Sequence, residues 1–291
     1  MRPVLGVVIP TFNRAPTLPR ALESVLSQQA DGLEVIVVDD GSTDDTIDYL
    51  NSIDDPCLVV ITQQNRGVCA ARNAGVRATE AEFVTFLDSD DEALPGWVGQ
   101  WLEFAARRVD FASCAVVQRK HNGTEVIVPP EASGAEYGFL RVMMLAGAYS
   151  LRRSLLLEIG GFREGLSFSE NTELGFRLGA RMLERPFSNE ATDDPLVAVH
   201  QSQRTYDPAE RFDSAVSLLE HDYEHLKRNP ELLSTYFAIA GVAASKLGNR
   251  SVAVSYLWSA IRNHPTTWVN YARLARALAL RPPQRSSSQR A

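Results

Sequence analysis

Glu34-Val35-Ile36-Val37-Val38-Asp39-Asp40-Gly41-Ser42-Thr43-Asp44 is the stretch that decides the fold. Four consecutive β-branched residues run into two carboxylates and a glycine, and Ser42 and Asp45 then stand in helix-capping spacing. That pattern predicts a buried strand ending in an acidic loop at the start of a helix. The same alternation holds on both sides. Val4 to Ile9 reads as a strand, and Thr17 to Gln29 as a helix with Leu18, Ala21, Leu22, Val25 and Leu26 on one face. Thr17 is placed to cap that helix, and Pro19 is tolerated in its first turn. After the helix from Ser42 to Ile53 come a strand (Cys57 to Thr62), a small-residue helix (Gly67 to Ala78) and a strand (Glu82 to Leu87) entering Asp88-Ser89-Asp90-Asp91. The rhythm is that of a mostly parallel α/β sheet, whose ligands bind at the carboxyl ends of the strands.

Farther on, residues 111 to 118 and 124 to 128 read as strands around His121-Asn122-Gly123, while Phe139 to Leu157 fits helix and strand alike. Gly160-Gly161-Phe162 marks a turn, Thr172 to Leu183 a helix and Leu196 to His200 a last strand. Beyond Asp207 only helical periodicity remains. Arg211 to Lys227 has one apolar stripe, and Phe237, Gly241, Gly248, Ala253, Leu257, Ala260 and Pro265 fall at the offsets of a 34-residue helical-hairpin repeat of tetratricopeptide type. Tyr271 and Leu274 would begin a second copy.

The 291 residues carry 29 Lys and Arg against 36 Asp and Glu, a net charge of −7, which argues against nucleic acid as a partner of the whole surface. Three scattered cysteines, Cys57, Cys69 and Cys114, encode neither a disulfide framework nor a zinc site. With no apolar run long enough for a signal peptide or a membrane span, the expectation is a cytoplasmic protein.

Two carboxylate loops at strand ends of one sheet suit a divalent cation completed by a diphosphate, which points to a nucleotide diphosphate. Either loop alone is equally well read as a capped turn or a solvated strand end. The runs Val8-Ile9-Pro10-Thr11-Phe12-Asn13-Arg14, Val37 to Asp44, Asn65-Arg66-Gly67 through Ala70-Ala71-Arg72-Asn73-Ala74-Gly75, and Phe86 to Asp91 together resemble family-two glycosyltransferases of the GT-A fold. They occur in that family's order and spacing. Weaker similarity continues through Gly160-Gly161-Phe162, Glu170 to Leu178 and about His200.

The resemblance implies an α/β GT-A domain over residues 1–204, with a mixed sheet flanked by helices. It would be followed by an all-α tetratricopeptide-like domain over 205–281 and a disordered tail over 282–291. Pro10 and Thr11 would line a nucleobase pocket. Asp39 or Asp40 would accept hydrogen bonds from base and ribose, and Asn65 and Arg72 would face the nucleotide. Asp88-Ser89-Asp90 matches the family's DxD motif, with Asp88 near the ribose and Asp90 on a Mn²⁺ or Mg²⁺ ion; Asp88 and His200 are further candidate ligands. The implied partner is a nucleotide diphosphate sugar, a UDP-sugar first, with the acceptor undetermined. Gly147 and Tyr149 fall where the family builds its acceptor-side wall.

One position departs from the pattern. In Ser169-Glu170-Asn171-Thr172-Glu173-Leu174 the family has Glu-Asp, whose Asp would deprotonate the acceptor in an inverting displacement; here Asn171 stands in its place. An amide positions a hydroxyl but takes no proton, at a typical forfeit of ~10²- to 10⁴-fold. Glu170 or Glu173 would then serve as base, or the acceptor needs none, as in a polyprenyl-phosphate sugar synthase. A catalytically impaired nucleotide-sugar-binding module or an introduced substitution would also account for it. For the basic segment Trp268 to Arg281, a membrane-surface helix and a half-repeat packed on its neighbour both stay open.

Overall fold

A computed structural model of the chain describes residues 2–120, 122–132, 134, 140–200 and 207–279. The expected tail 282–291, the boundary at Arg204, and His121 and Arg281 lie outside the described residues. The chain divides into two compact units, Met1–Gln203 and Arg204–Ala291.

The first unit begins with β1 (Leu5–Thr11), α1 (Leu18–Leu26), β2 (Leu33–Asp39), α2 (Thr46–Asn51), β3 (Leu58–Thr62), α3 (Val68–Ala78) and β4 (Phe83–Phe86). These four strands are parallel in the order β3-β2-β1-β4, so the chain steps outward from β1 on one side and returns to its other side. Helices cover both faces, so β1 and β2 are almost uninterrupted apolar runs and both are buried. On one face Leu18, Leu22 and Val25 of α1 are fully buried against Val7, Ile9 and Val35, each worth roughly 1.5–3 kcal/mol of apolar burial. On the other, α3 lies so close that a Cβ on Gly75 would come within 2.4 Å of Val8 Cγ1. That approach explains why α3 is built from small residues.

The sheet then turns mixed. There follow β5 (Glu92–Ala93), α4 (Trp97–Ala106), β6 (Phe111–Arg119), β7 (Glu125–Val128), β8 (Glu131–Ala132), β9 (Arg141–Val142), β10 (Tyr149–Arg152), α5 (Arg153–Glu158), α6 (Glu170–Glu184) and β11 (Asn189–His200). β10 runs antiparallel between β4 and β6, β11 parallel to β6, and β5 antiparallel to β11. Among the described residues the result is a nine-stranded mixed sheet flanked by helices.

Several sequence expectations shift. The helix expected from Ser42 starts at Thr46 with Asp45 as N-cap, because Ser42 N–H is taken by the Asp39 carboxylate and Ser42 Oγ accepts from Asn13 N–H. Thr17 is the N-cap of α1, but its side chain makes no capping hydrogen bond. The ambiguous segment after Phe139 contains β9, β10 and α5, and α6 starts at Glu170 rather than Thr172. The last strand starts at Asn189, its irregular register at Ala191 and Pro195 having hidden the earlier half. Helix α4, whose Trp97 and Trp101 are fully buried, had not been anticipated.

The second unit holds α7 (Pro208–His221), α8 (Tyr223–Leu226), α9 (Pro230–Lys246), α10 (Arg250–Asn263) and α11 (Trp268–Ala279). The single helix expected over Arg211 to Lys227 is divided at Asp222. Asn229 and Asn249 cap α9 and α10 with their side-chain oxygens, as short polar residues do at helix starts. Gly241 lets α10 approach, since a Cβ there would meet Leu257 Cγ at 2.6 Å. Buried Ser234 donates to the Ala260 carbonyl and accepts from Asn270 of α11, tying three helices together.

Candidate active site

The register puts Thr11 beside Asp39, so β1 and β2 end level, and Leu87 N–H bonding the Val8 carbonyl brings the β4 end to the same rim. Pro10 and Thr11 are buried there, and the Thr11 hydroxyl is without a hydrogen-bond partner among the described residues. A buried donor left open at the carboxyl edge of a parallel sheet marks a place for a ligand atom.

The two acidic residues after β2 have different roles. Asp40 accepts from Gln63 Nε2 (2.7 Å), Arg66 N–H (2.9 Å) and Gly67 N–H (2.7 Å), and so fixes the loop that starts α3. Gly41 has φ +81°, and a Cβ on it would press on Asn65 N at 3.0 Å; only glycine fits. Among the described residues the Asp39 carboxylate is bonded by Ser42 N–H alone, at 3.2 and 3.3 Å to its two oxygens. Of the two, Asp39 is therefore the one with acceptor capacity for a ligand. Asn65 is exposed on the loop that Asp40 holds.

Asp88, Asp90 and Asp91 each bring a carboxylate oxygen into one group, all within 4.8 Å of one another. Three oxygens of this kind fit a hard cation such as Mg²⁺ or Mn²⁺. Arg14 lies 3.7 Å from Asp90, and Arg20 donates to the Asp90 carbonyl. Neither arginine had been singled out from sequence; Arg20 sits in helix α1 with nothing in its spacing to mark it. His200 is not in the carboxylate group. Its backbone N–H donates to Asp91 at 2.9 Å, while its ring lies 3.4 Å from Glu92 and 3.5 Å from Arg119. Burial, with Arg20 and then Arg119 nearby, holds its pKa below the ordinary histidine value despite Glu92. The strand pair β5–β11 is what brings the His200 backbone to Asp91.

Arg72 is the hub. It is 1% exposed and bridges Asp88 (2.7 Å) and Glu170 (2.9 Å), with its guanidinium 5.1 Å from the Phe162 ring centre. Burial alone would favour losing the proton; Asp88 and Glu170 outweigh it and raise the pKa. Its Nε has no partner among the described residues. Arg72, expected to face the nucleotide, here ties the two carboxylates together from within.

At the start of α6, Ser169 adopts the left-handed conformation (φ 61°), a strained state for a residue with a Cβ. It aims Glu170 at Arg72. Asn171 donates to Glu170 Oε1 (3.2 Å) and accepts from the Tyr149 hydroxyl (2.8 Å). Tyr149 is wholly buried, which raises its pKa and keeps it a donor. Both Arg72 and Asn171 meet Glu170 at Oε1, and Oε2 has no partner among the described residues. Glu173 is different: fully buried, it takes both oxygens to Arg177 at 2.6 Å and one to Arg163 at 2.9 Å. It is the centre of an ion cluster and does not join the site.

Asn73 is a further residue the sequence reading did not assign. Its amide donates to the Phe162 carbonyl and accepts from Phe162 N–H, both at 2.8 Å, clamping the Gly160-Gly161-Phe162 turn onto α3. Burial pushes the thiols of Cys69 and Cys114 up to about 12, so both are packing residues.

Residues 6–163, more than half the chain, match Glycosyl transferase family 2. The chain belongs to that family. Among curated relatives, this family-two chain is 32% identical over 181 residues to the GalNAc(5)-diNAcBac-PP-undecaprenol beta-1,3-glucosyltransferase of Campylobacter jejuni, covering 58% of each protein. It is 30% identical over 192 residues to succinoglycan biosynthesis protein ExoU of Rhizobium meliloti, covering 61% of this chain and 56% of that one. The match thus spans less than two thirds of these relatives. In structure it resembles residues 1–349 of S. aureus TarS in complex with UDP-GlcNAc, with a TM-score of 0.63 at 18% identity over 94% of this chain and 89% of that one. That likeness shows the GT-A fold.

Proposed function

We propose that the protein transfers a sugar from a nucleotide diphosphate sugar, a UDP-sugar first, to an acceptor hydroxyl with inversion. The observation that carries the reading is the line Asp88–Arg72–Glu170, which joins the end of β4 to the start of α6 through one buried guanidinium. Thr11 and Asp39 would receive the nucleoside, with Pro10 as a wall and Asn65 at the rim. Arg14 and Arg20 would offset the charge of the diphosphate. Asp88, Asp90 and Asp91 would hold Mn²⁺ or Mg²⁺, and such an ion, when bound, neutralises the departing diphosphate. The family relatives support a nucleotide-sugar donor, and the UDP-GlcNAc complex of TarS supports uridine.

In this reading Glu170 Oε2 takes the acceptor proton. The acceptor oxygen forms a bond to the anomeric carbon as the bond to the diphosphate oxygen breaks on the opposite side. Arg72 and Asn171, both on Oε1, fix the carboxylate so that Oε2 is presented. The lipid-linked name of the Campylobacter relative makes a lipid-linked sugar the acceptor to try first.

Asn171 favours a second reading, a nucleotide-sugar-binding module with impaired catalysis. Calorimetric titration with UDP, GDP and dTDP, with Mn²⁺ or with EDTA, followed by release of diphosphate from the matching donor, separates the two. Metal-dependent UDP binding with turnover that Glu170→Gln removes supports the transferase. Binding without turnover, with activity gained in Asn171→Asp, supports the module, and no nucleotide binding overturns both.

A further inference from the structure

The charge of this chain is unevenly placed. Residues 1–231 hold 21 Lys and Arg against 36 Asp and Glu, whereas residues 232–291 hold eight Lys and Arg and no acid. Within that acid-free stretch, α11 buries Asn270 and Ala277 and packs Leu274 against the cluster around Ala253 and Leu257. Opposite them, at helical spacing, stand Trp268, Tyr271, Ala272, Ala275, Leu278 and Ala279, all exposed. Trp268 is 74% exposed, Tyr271 46% and Leu278 48%. This outward face covers roughly a third of the helix circumference without one charged residue. Arg273 and Arg276, both exposed, flank it on one side. A helix apolar on both faces is ordinarily buried on both. The neighbouring helix α10 also exposes an aromatic ring, Trp258, beneath the Arg262 guanidinium.

We propose that the outward face of α11 binds the surface of an anionic lipid bilayer. Tryptophan and tyrosine rings with an apolar body and a polar edge settle at the headgroup boundary, and flanking arginines add attraction to anionic lipid. No helix among the described residues is long and apolar enough to cross a membrane, so the contact is interfacial. The same face of a second copy is a poorer occupant, because each copy would bring the same cations to a symmetric contact. The inference stands independently of the donor and base assigned above.

The test is co-sedimentation of the full chain with vesicles of phosphatidylglycerol and phosphatidylcholine, against vesicles of phosphatidylcholine alone, read together with tryptophan emission. Binding to the anionic vesicles, weakened by salt, with a blue shift of emission is expected. The double variants Trp268→Ser/Tyr271→Ser and Arg273→Gln/Arg276→Gln should each weaken it at least about tenfold while circular dichroism is retained. Should the aromatic variant misfold, Ala275→Glu places a charge on the same exposed face and should weaken binding likewise. The proposal is overturned by absent binding, by equal binding to neutral vesicles, or by unchanged affinity in folded aromatic variants. It is equally overturned by a dimer in sedimentation velocity that those variants disperse, which would assign the face to a second copy. Capture of an acidic protein partner in place of vesicles would do the same.

Discussion

Asp39-Asp40 and Asp88-Ser89-Asp90-Asp91 end strands of one sheet at one rim, yet they behave differently. Asp40 turns both oxygens inward to three donors of the loop between β3 and α3, while Asp88, Asp90 and Asp91 gather at a single point with Arg14, Arg20 and Arg72 close by. An acidic residue after a strand can organise backbone or await a ligand, and the difference lies in which N–H groups the next loop presents. Glu170 and Glu173 repeat the contrast one helical turn apart. The first keeps an oxygen without a partner among the described residues, and the second is closed in by Arg163 and Arg177.

The glutamates allow the sharpest test. Glu170→Gln should lower turnover by ~10²- to 10⁴-fold with UDP affinity nearly unchanged. Glu173→Gln should instead leave two arginines poorly paired, costing about 3–5 kcal/mol of stability, which denaturant titration reads directly. If the two variants exchange these phenotypes, the assignment of the base fails. Next, Asp90→Ala should cost about 10²- to 10³-fold in turnover and abolish the metal dependence of UDP binding in calorimetry, with thermal midpoint preserved.

The first acidic pair should separate in the opposite sense. Asp40→Asn loses charge-assisted bonds to two backbone amides and should destabilise the fold by roughly 1–3 kcal/mol, lowering the melting midpoint. Asp39→Asn should weaken UDP binding with little change in that midpoint. Equal destabilisation by both would erase the distinction between scaffold and ligand site. An effect of similar size to that at Asp40 is expected at the clamp: Gly161→Ala, at φ +71° and with a Cβ only 2.6 Å from Asn73 Oδ1, should cost roughly 1–3 kcal/mol and loosen Phe162 from Arg72. Near-UV circular dichroism would follow the aromatic packing.

Much of the fold was legible because its signals are local. The largely apolar β1 and β2, the amphipathic α1 and the small-residue α3 each declare themselves within a dozen residues, and their order dictates parallel pairing. The segment from Tyr149 was not legible: β10 is four residues long, lies between two antiparallel neighbours and passes directly into α5, so no period has room to develop.

By itself, the sequence determined the α/β rhythm, the rim on which the acidic loops lie, and the amide at Asn171 where a carboxylate is expected. Which carboxylates gather at the rim and which are tied into the scaffold was decided only by tertiary structure. Arg72 meets Glu170 across 98 positions and His200 meets Asp91 across 109, and no local pattern encodes pairs that long-range strand and helix packing brings together. A charge announces its presence in a sequence, but its partner, and hence its chemistry, depends on the three-dimensional distance over which Coulomb attraction and hydrogen bonding act.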